Sequence, residues 1–175
     1  KNDFNLNLPR YIDSTEPEDL QDIDAHLRGG IPNRDIDAFA DYWHVLPSVR
    51  AVLFKRARAG YSALRLPIAD VKPEILGHPE FTAFNASVGK LFNKWRRKAK
   101  SRLKELGTDS HPKDLIATLA EDLLEAFAGA PLIDPYDIYQ HLMDYWDQTM
   151  QDDCYMITGD GWTESARPRV VIEDK

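Results

Sequence analysis

Apolar residues recur at three- and four-residue steps through most of the chain, which is the period of a helix with one buried stripe. The clearest case is the stretch 84–106, FNASVGKLFNKWRRKAKSRLKEL, whose stripe is Val88, Leu91, Phe92, Trp95, Ala99, Leu103 and Leu106. At about 100° per residue, Lys90, Lys94, Arg97, Ser101 and Lys104 fall on the opposite side. Arg96, Lys98, Lys100 and Arg102 fill the flanks, where long stems can lie along apolar surface. Pro79 predicts the start of this helix and Gly107 its end. A helix that is sticky on one side and cationic on the other needs a core and an anion. The anion is either a set of neighbouring acidic helices or a nucleic acid.

The remaining pattern predicts a run of shorter elements. Phe4–Leu8 alternates apolar and polar side chains as a strand does, stops at Pro9, and has no hairpin partner nearby. A helix capped by Ser14 or Thr15 follows, burying Leu20, Ile23 and Leu27 and stopping at Gly29-Gly30. Asn33 caps a second helix with Ile36, Phe39, Ala40, Tyr42 and Trp43 inward. Pro47-Ser48 opens a third that buries Val49, Val52, Leu53 and Ala57 and closes at Gly60. Tyr61–Leu66 alternates weakly as a short strand, and Pro67, Pro73 and Pro79 punctuate a compact turn region. Beyond the basic helix, Asp109 or Ser110 with Pro112 opens a helix whose inward row is Leu115, Ile116, Leu119, Leu123 and Phe127. Asp134-Pro135 starts the next, with Ile138, Leu142, Tyr145, Trp146 and Met150 on its apolar side. Cys154–Thr158 reads as a strand, Gly159-Asp160-Gly161 as a turn and Arg169–Ile172 as a returning strand. The predicted fold class is mainly α. A helical bundle at 14–153 is preceded by a short strand within 1–13 and followed by a β-hairpin tail at 154–175.

Charge changes this picture more than composition does. The net charge of −7 is spread unevenly. Residues 1–49 hold four cations and ten anions. Residues 50–106 hold fourteen cations against Asp70, Glu74, Glu80 and Glu105, and residues 107–165 hold thirteen anions against Lys113. A basic middle between acidic ends implies either an anionic partner for the middle or pairing between the blocks. No apolar run approaches the roughly 18 residues of a membrane span, and no signal-peptide pattern is present. The single cysteine, Cys154, fits a reducing cytoplasm. A chain that begins at Lys1 fits a piece of something longer.

Candidate chemistry is sparse. Asp137, His141 and Asp144 share one helical face at spacings of four and three, which a metal could use. The same face carries Asp147, Gln148 and Gln151 and is more simply the solvated side of an amphipathic helix. Cys154 reads as a small half-buried hydrophobe before it reads as a nucleophile. Trp43, Trp95, Tyr145 and Trp146 lie on apolar rows, as core residues first and base-stacking platforms second. No phosphate-cradling glycine loop, nucleophile elbow or paired-cysteine site occurs. The chain thus offers no catalytic, cofactor or metal residue. The residues expected to meet DNA or a partner are Lys90, Lys94, Arg97, Lys98, Arg102 and Lys104.

The opening Asn2-Asp3-Phe4-Asn5-Leu6-Asn7-Leu8-Pro9-Arg10-Tyr11-Ile12 resembles a segment of type I restriction–modification DNA methyltransferases, in their modification subunit. In that family a strand of this form lies downstream of the catalytic Asn-Pro-Pro-Tyr/Phe loop. The stretch 132–146, then Met150-Gln151-Asp152-Asp153 and Asp160-Gly161-Trp162, is similar to later parts of long subunits of this kind. The resemblance implies a parent enzyme that transfers a methyl group from S-adenosylmethionine to adenine N6 in DNA. Neither the methyl-donor glycine loop nor the Asn-Pro-Pro-Tyr/Phe motif occurs in these 175 residues. What the resemblance implies here is the portion after the catalytic core, inactive alone and holding no cofactor. It also implies partners: the specificity subunit, a second modification subunit, in the full complex the restriction subunit, and the DNA backbone, all cytoplasmic. Four phosphate contacts by Lys90, Lys94, Arg97 and Lys104 imply a log–log salt slope of about −3.6. The alternative is a stand-alone helical module whose basic helix binds nucleic acid or an acidic protein.

Overall fold

The computed structural model describes residues 21–167. They form a mainly helical fold with one small antiparallel sheet. The strand expected at Phe4–Leu8, the helix start at 14–20 and the returning strand at Arg169–Ile172 lie outside the described residues.

The longest element is α6 (Pro79–Lys104), 26 residues and roughly 39 Å of helix. Its start is written in the sequence: the His78 ring accepts a hydrogen bond from the Glu80 N–H, and Pro79 sits where no N–H partner exists. Phe81 and Phe84 near its start pack on one core, Val88, Leu91, Trp95 and Ala99 on a second, and Leu103 on a third.

The first core is Leu46, Val49 and Leu53, with Trp43, Val71 and Ile75 packed against it. Here the pattern misled in several places. The helix expected from Asn33 is two, α2 (Asn33–Asp37) and α3 (Ala40–Val45), and the break leaves Phe39 and Tyr42 about half exposed. The next helix, α4 (Pro47–Leu53), stops short of Gly60. The chain becomes β2 (Phe54–Arg58), which pairs antiparallel with β3 (Tyr61–Leu64). β1 (Ile31–Pro32) completes the sheet in the order β1-β3-β2. Gly60, at φ 78°, turns the hairpin instead of closing a helix. Without β2, one edge of β3 would lose its ladder partner. Supplying those bonds outweighs the few tenths of a kcal/mol of helix preference per residue in Lys55, Arg56 and Ala57. The proline-punctuated region also differs from expectation, being a helix, α5 (Ile68–Gly77), with Pro73 inside it. Pro73 has no N–H to give the Ala69 carbonyl, and the packing of Val71 and Ile75 on the first core offsets that loss.

α1 (Ile23–Arg28), capped by the Asp22 side chain, exposes Ile23 and Leu27 instead of burying them. Its acidic side is what the hairpin holds. The Tyr61 hydroxyl donates to Asp22 Oδ1 at 2.9 Å, and Arg58 pairs with Asp24 while lying 3.3 Å from the Tyr61 ring centre.

The second core joins α6 to α7 (Pro112–Phe127) and α8 (Pro135–Tyr145) through Ala99, Leu119, Ala120, Leu123, Phe127 and Leu142. These rows match their sequence periods, apart from Phe92 on α6, which is 42% exposed, and Tyr145, which is 56% exposed. α8 runs through a π-helical turn (Trp146–Met150) into α9 (Gln151–Ser165). The strand expected at Cys154–Thr158 is therefore helix. The tail is helical as far as Ser165 except for a kink at Gly161 (φ 77°, ψ 163°), within the turn expected at Gly159-Asp160-Gly161. The reason lies in the third core, where Cys154 and Ile157 are buried together with Leu106 and Trp146. Residues three apart share a helix face, whereas a strand would point them to opposite sides.

Candidate nucleic-acid or partner interface

The six cations singled out by sequence do not act as one set. Lys98 and Arg102 reach across to α7, where Asp122 accepts from Lys98 Nζ at 2.6 Å and from Arg102 Nε at 3.0 Å. Both lie on the flank of α6 that faces the acidic helix, and they hold the two helices together. Burial would raise the Asp122 carboxyl. The hydrogen bond from Lys98 and the charges of Arg102 and Lys98 outweigh it and hold the group below the usual carboxylate value. Lys90, Lys94, Arg97 and Lys104 are exposed and, among the described residues, form no ion pair.

Internal pairing also consumes part of the basic block ahead of α6. Arg50 pairs with Asp37, and Arg58 with Asp24. Each pair links the basic middle to the acidic opening, so pairing between blocks accounts for some of the charge asymmetry. It leaves the outer face of α6 untouched.

Three open grooves border this helix. The largest, about 430 Å³, lies between α6 and α7 beside Leu91, Trp95, Lys98 and Asp122. Another, about 320 Å³, is bordered by Lys90, Asn93, Arg96 and Arg97 on the outer face. A third of about 290 Å³ lies near Arg102, Glu105, His111 and Asp114. Among the described residues no three His, Cys, Asp or Glu side chains come together to hold a metal, so Asp137, His141 and Asp144 are not gathered into a site. Asp144 instead accepts from Gln140 Nε2 at 2.8 Å. Cys154 is buried, and its thiol is pushed up by that burial and by Asp153, which disfavours the nucleophilic thiolate.

The tryptophans are structural, each indole N–H being spent inside the molecule. Trp95 donates to the Leu119 carbonyl at 3.0 Å, Trp146 to Gln151 at 3.1 Å, and Trp43 to the Ile36 carbonyl. Trp162, which carries no periodic signal, donates to the Leu106 carbonyl at 2.8 Å and ties the end of α9 to the exit of α6. Sequence reasoning missed that tie and also the Asp22–Tyr61 pair. Their partners are 56 and 39 residues away in the chain, beyond any local period. No helix among the described residues is long and apolar enough to cross a membrane. Comparison with protein-family models, curated proteins and solved structures gave no match to this chain.

Proposed function

We propose that this chain is the post-catalytic part of a type I modification subunit, whose parent enzyme methylates adenine N6 in DNA using S-adenosylmethionine. In this reading it is not a catalyst by itself. It docks on the specificity subunit beside a second modification subunit and helps hold DNA. The observation that supports the reading is the ordered resemblance at Asn2–Ile12, joined to the absence of both catalytic motifs from the sequence. The exposed cations Lys90, Lys94, Arg97 and Lys104 on the outer face of α6 support a role in contact with an anion.

The test is a pull-down of the full chain against the specificity subunit from the same source. Capture is the expected result. Failure of capture moves the assignment to a stand-alone helical module. Methyl transfer by this purified polypeptide alone would defeat both.

A further inference from the structure

On α6 the residues Lys90, Asn93, Lys94, Arg97, Lys100, Ser101 and Lys104 occupy a single arc of roughly 120° at 100° per residue. All seven are exposed. The arc points away from α7, whose side of the helix is taken by Leu91, Trp95 and Ala99. It runs roughly 21 Å along the axis, with a cation every 4.5 to 6 Å or so. Between its ends it carries no apolar and no acidic side chain.

We infer that this arc binds the phosphodiester backbone of nucleic acid, blind to sequence, and does not bind an acidic protein. The inference rests on the interaction role proposed above and names the partner for it. Protein–protein interfaces bury an apolar centre and are poor in lysine, and this arc has no apolar centre to bury. Nucleic-acid interfaces are polar and cationic. Most of their hydrogen bonds run to phosphate oxygens from Lys, Arg, Asn and Ser side chains, the types found here. Asn93 supplies a neutral donor between the charges, whereas the Ser101 hydroxyl donates to Glu105 Oε1 at 3.3 Å. Arg96, on the flank of the same groove, sits 6.0 Å from the Phe92 ring centre, which offers the guanidinium a cation–π contact at the edge of the cradle.

The experiment is fluorescence anisotropy of the full chain against duplexes of roughly 30 bp and unrelated sequence, titrated across a range of salt concentrations. Five phosphate contacts predict a log–log slope of about −4.5, the same for every duplex. The variant K94Q/R97Q/K100Q should flatten the slope by about 2.7, and K94Q or R97Q alone by about 0.9 each. All three positions are solvent-exposed, and the single variants keep the test sharp if the triple variant is unstable. N93A should weaken binding several-fold at an unchanged slope. Poly-L-glutamate at equal charge should compete poorly. An unchanged slope in the folded variants overturns the inference, and so does poly-L-glutamate displacing DNA at equal charge. Capture by the specificity subunit separates the two proposals. Loss of capture by the wild type, with the DNA slope intact, sinks the family assignment and leaves this inference standing. Loss of capture by K94Q/R97Q/K100Q with its DNA slope intact shows that the arc serves a protein and overturns the inference.

Discussion

Replacing Asp122 by asparagine tests how α6 and α7 are held together. The carboxylate is 12% exposed and accepts two charge-assisted hydrogen bonds, from Lys98 at 2.6 Å and Arg102 at 3.0 Å. A fully buried bond of this type is worth about 1.5–3 kcal/mol, an exposed ion pair about 0.2–1 kcal/mol. Lys98 is 53% and Arg102 37% exposed, so solvent screens both and the lower scale applies to each. D122N keeps the shape but loses the charge, and should cost about 0.4–2 kcal/mol near neutral pH. In urea this is a midpoint shift of about 0.2–1 M for a slope of about 2 kcal/mol per M. The pH dependence gives a second reading. Asp122 has a depressed pKa in the folded state, so its stabilisation is present above the unfolded carboxylate value of about 3.9. That stabilisation is lost as pH falls through the lower folded value. The gap between wild type and D122N should therefore be full at neutral pH and close in acid. A neutral-pH loss below about 0.3 kcal/mol, or a gap that does not narrow as the pH falls below the unfolded carboxylate value, would refute the clamp.

Three further predictions concern the packing. Leu119, 1% exposed at the centre of the second core, should cost about 3–4 kcal/mol on replacement by alanine, read from denaturant unfolding. Gly161 sits at φ 77°, ψ 163°, a region open only to glycine, and a Cβ there meets nothing within 4 Å. G161A should therefore lose about 1–3 kcal/mol from backbone strain alone, seen as a lower Tm. The Tyr61 phenol is raised, first by its hydrogen bond to Asp22 and then by burial. A raised folded pKa means this bond stabilises the fold below the ordinary tyrosine range and is lost as pH rises through the folded value. Ultraviolet titration should find Tyr61 ionising after an ordinary tyrosine, and D22N should bring it back toward the usual value.

Much of the helical framework was legible because its signals are local. The apolar stripes of α6 and α7 repeat every three to four residues, and His78-Pro79, Pro112 and Asp134-Pro135 mark helix starts by satisfying or removing orphan N–H groups. At residues 54–58 and 154–158 the deciding partner was remote in sequence. Residues 54–58 are strand because β3 needs an edge partner. Cys154 and Ile157 are helical because Leu106 and Trp146 receive them on one face. The π-helical turn has a reason in the spacing of its apolar row. Leu142, Trp146, Met150 and Cys154 follow at four-residue steps, which drift by about 40° each in a regular α-helix. The wider turn takes up that drift and keeps the row on the core.

The candidate interface divides along the same line. The sequence by itself determined that α6 would be amphipathic and cationic, since periodicity and charge are properties of neighbouring residues. Only the tertiary structure decided which cations are free, because Asp122 lies 24 residues from Lys98 and 20 from Arg102 and is brought beside them by the packing of α7. Charge is assigned residue by residue along a chain, but neutralisation depends on distance in space.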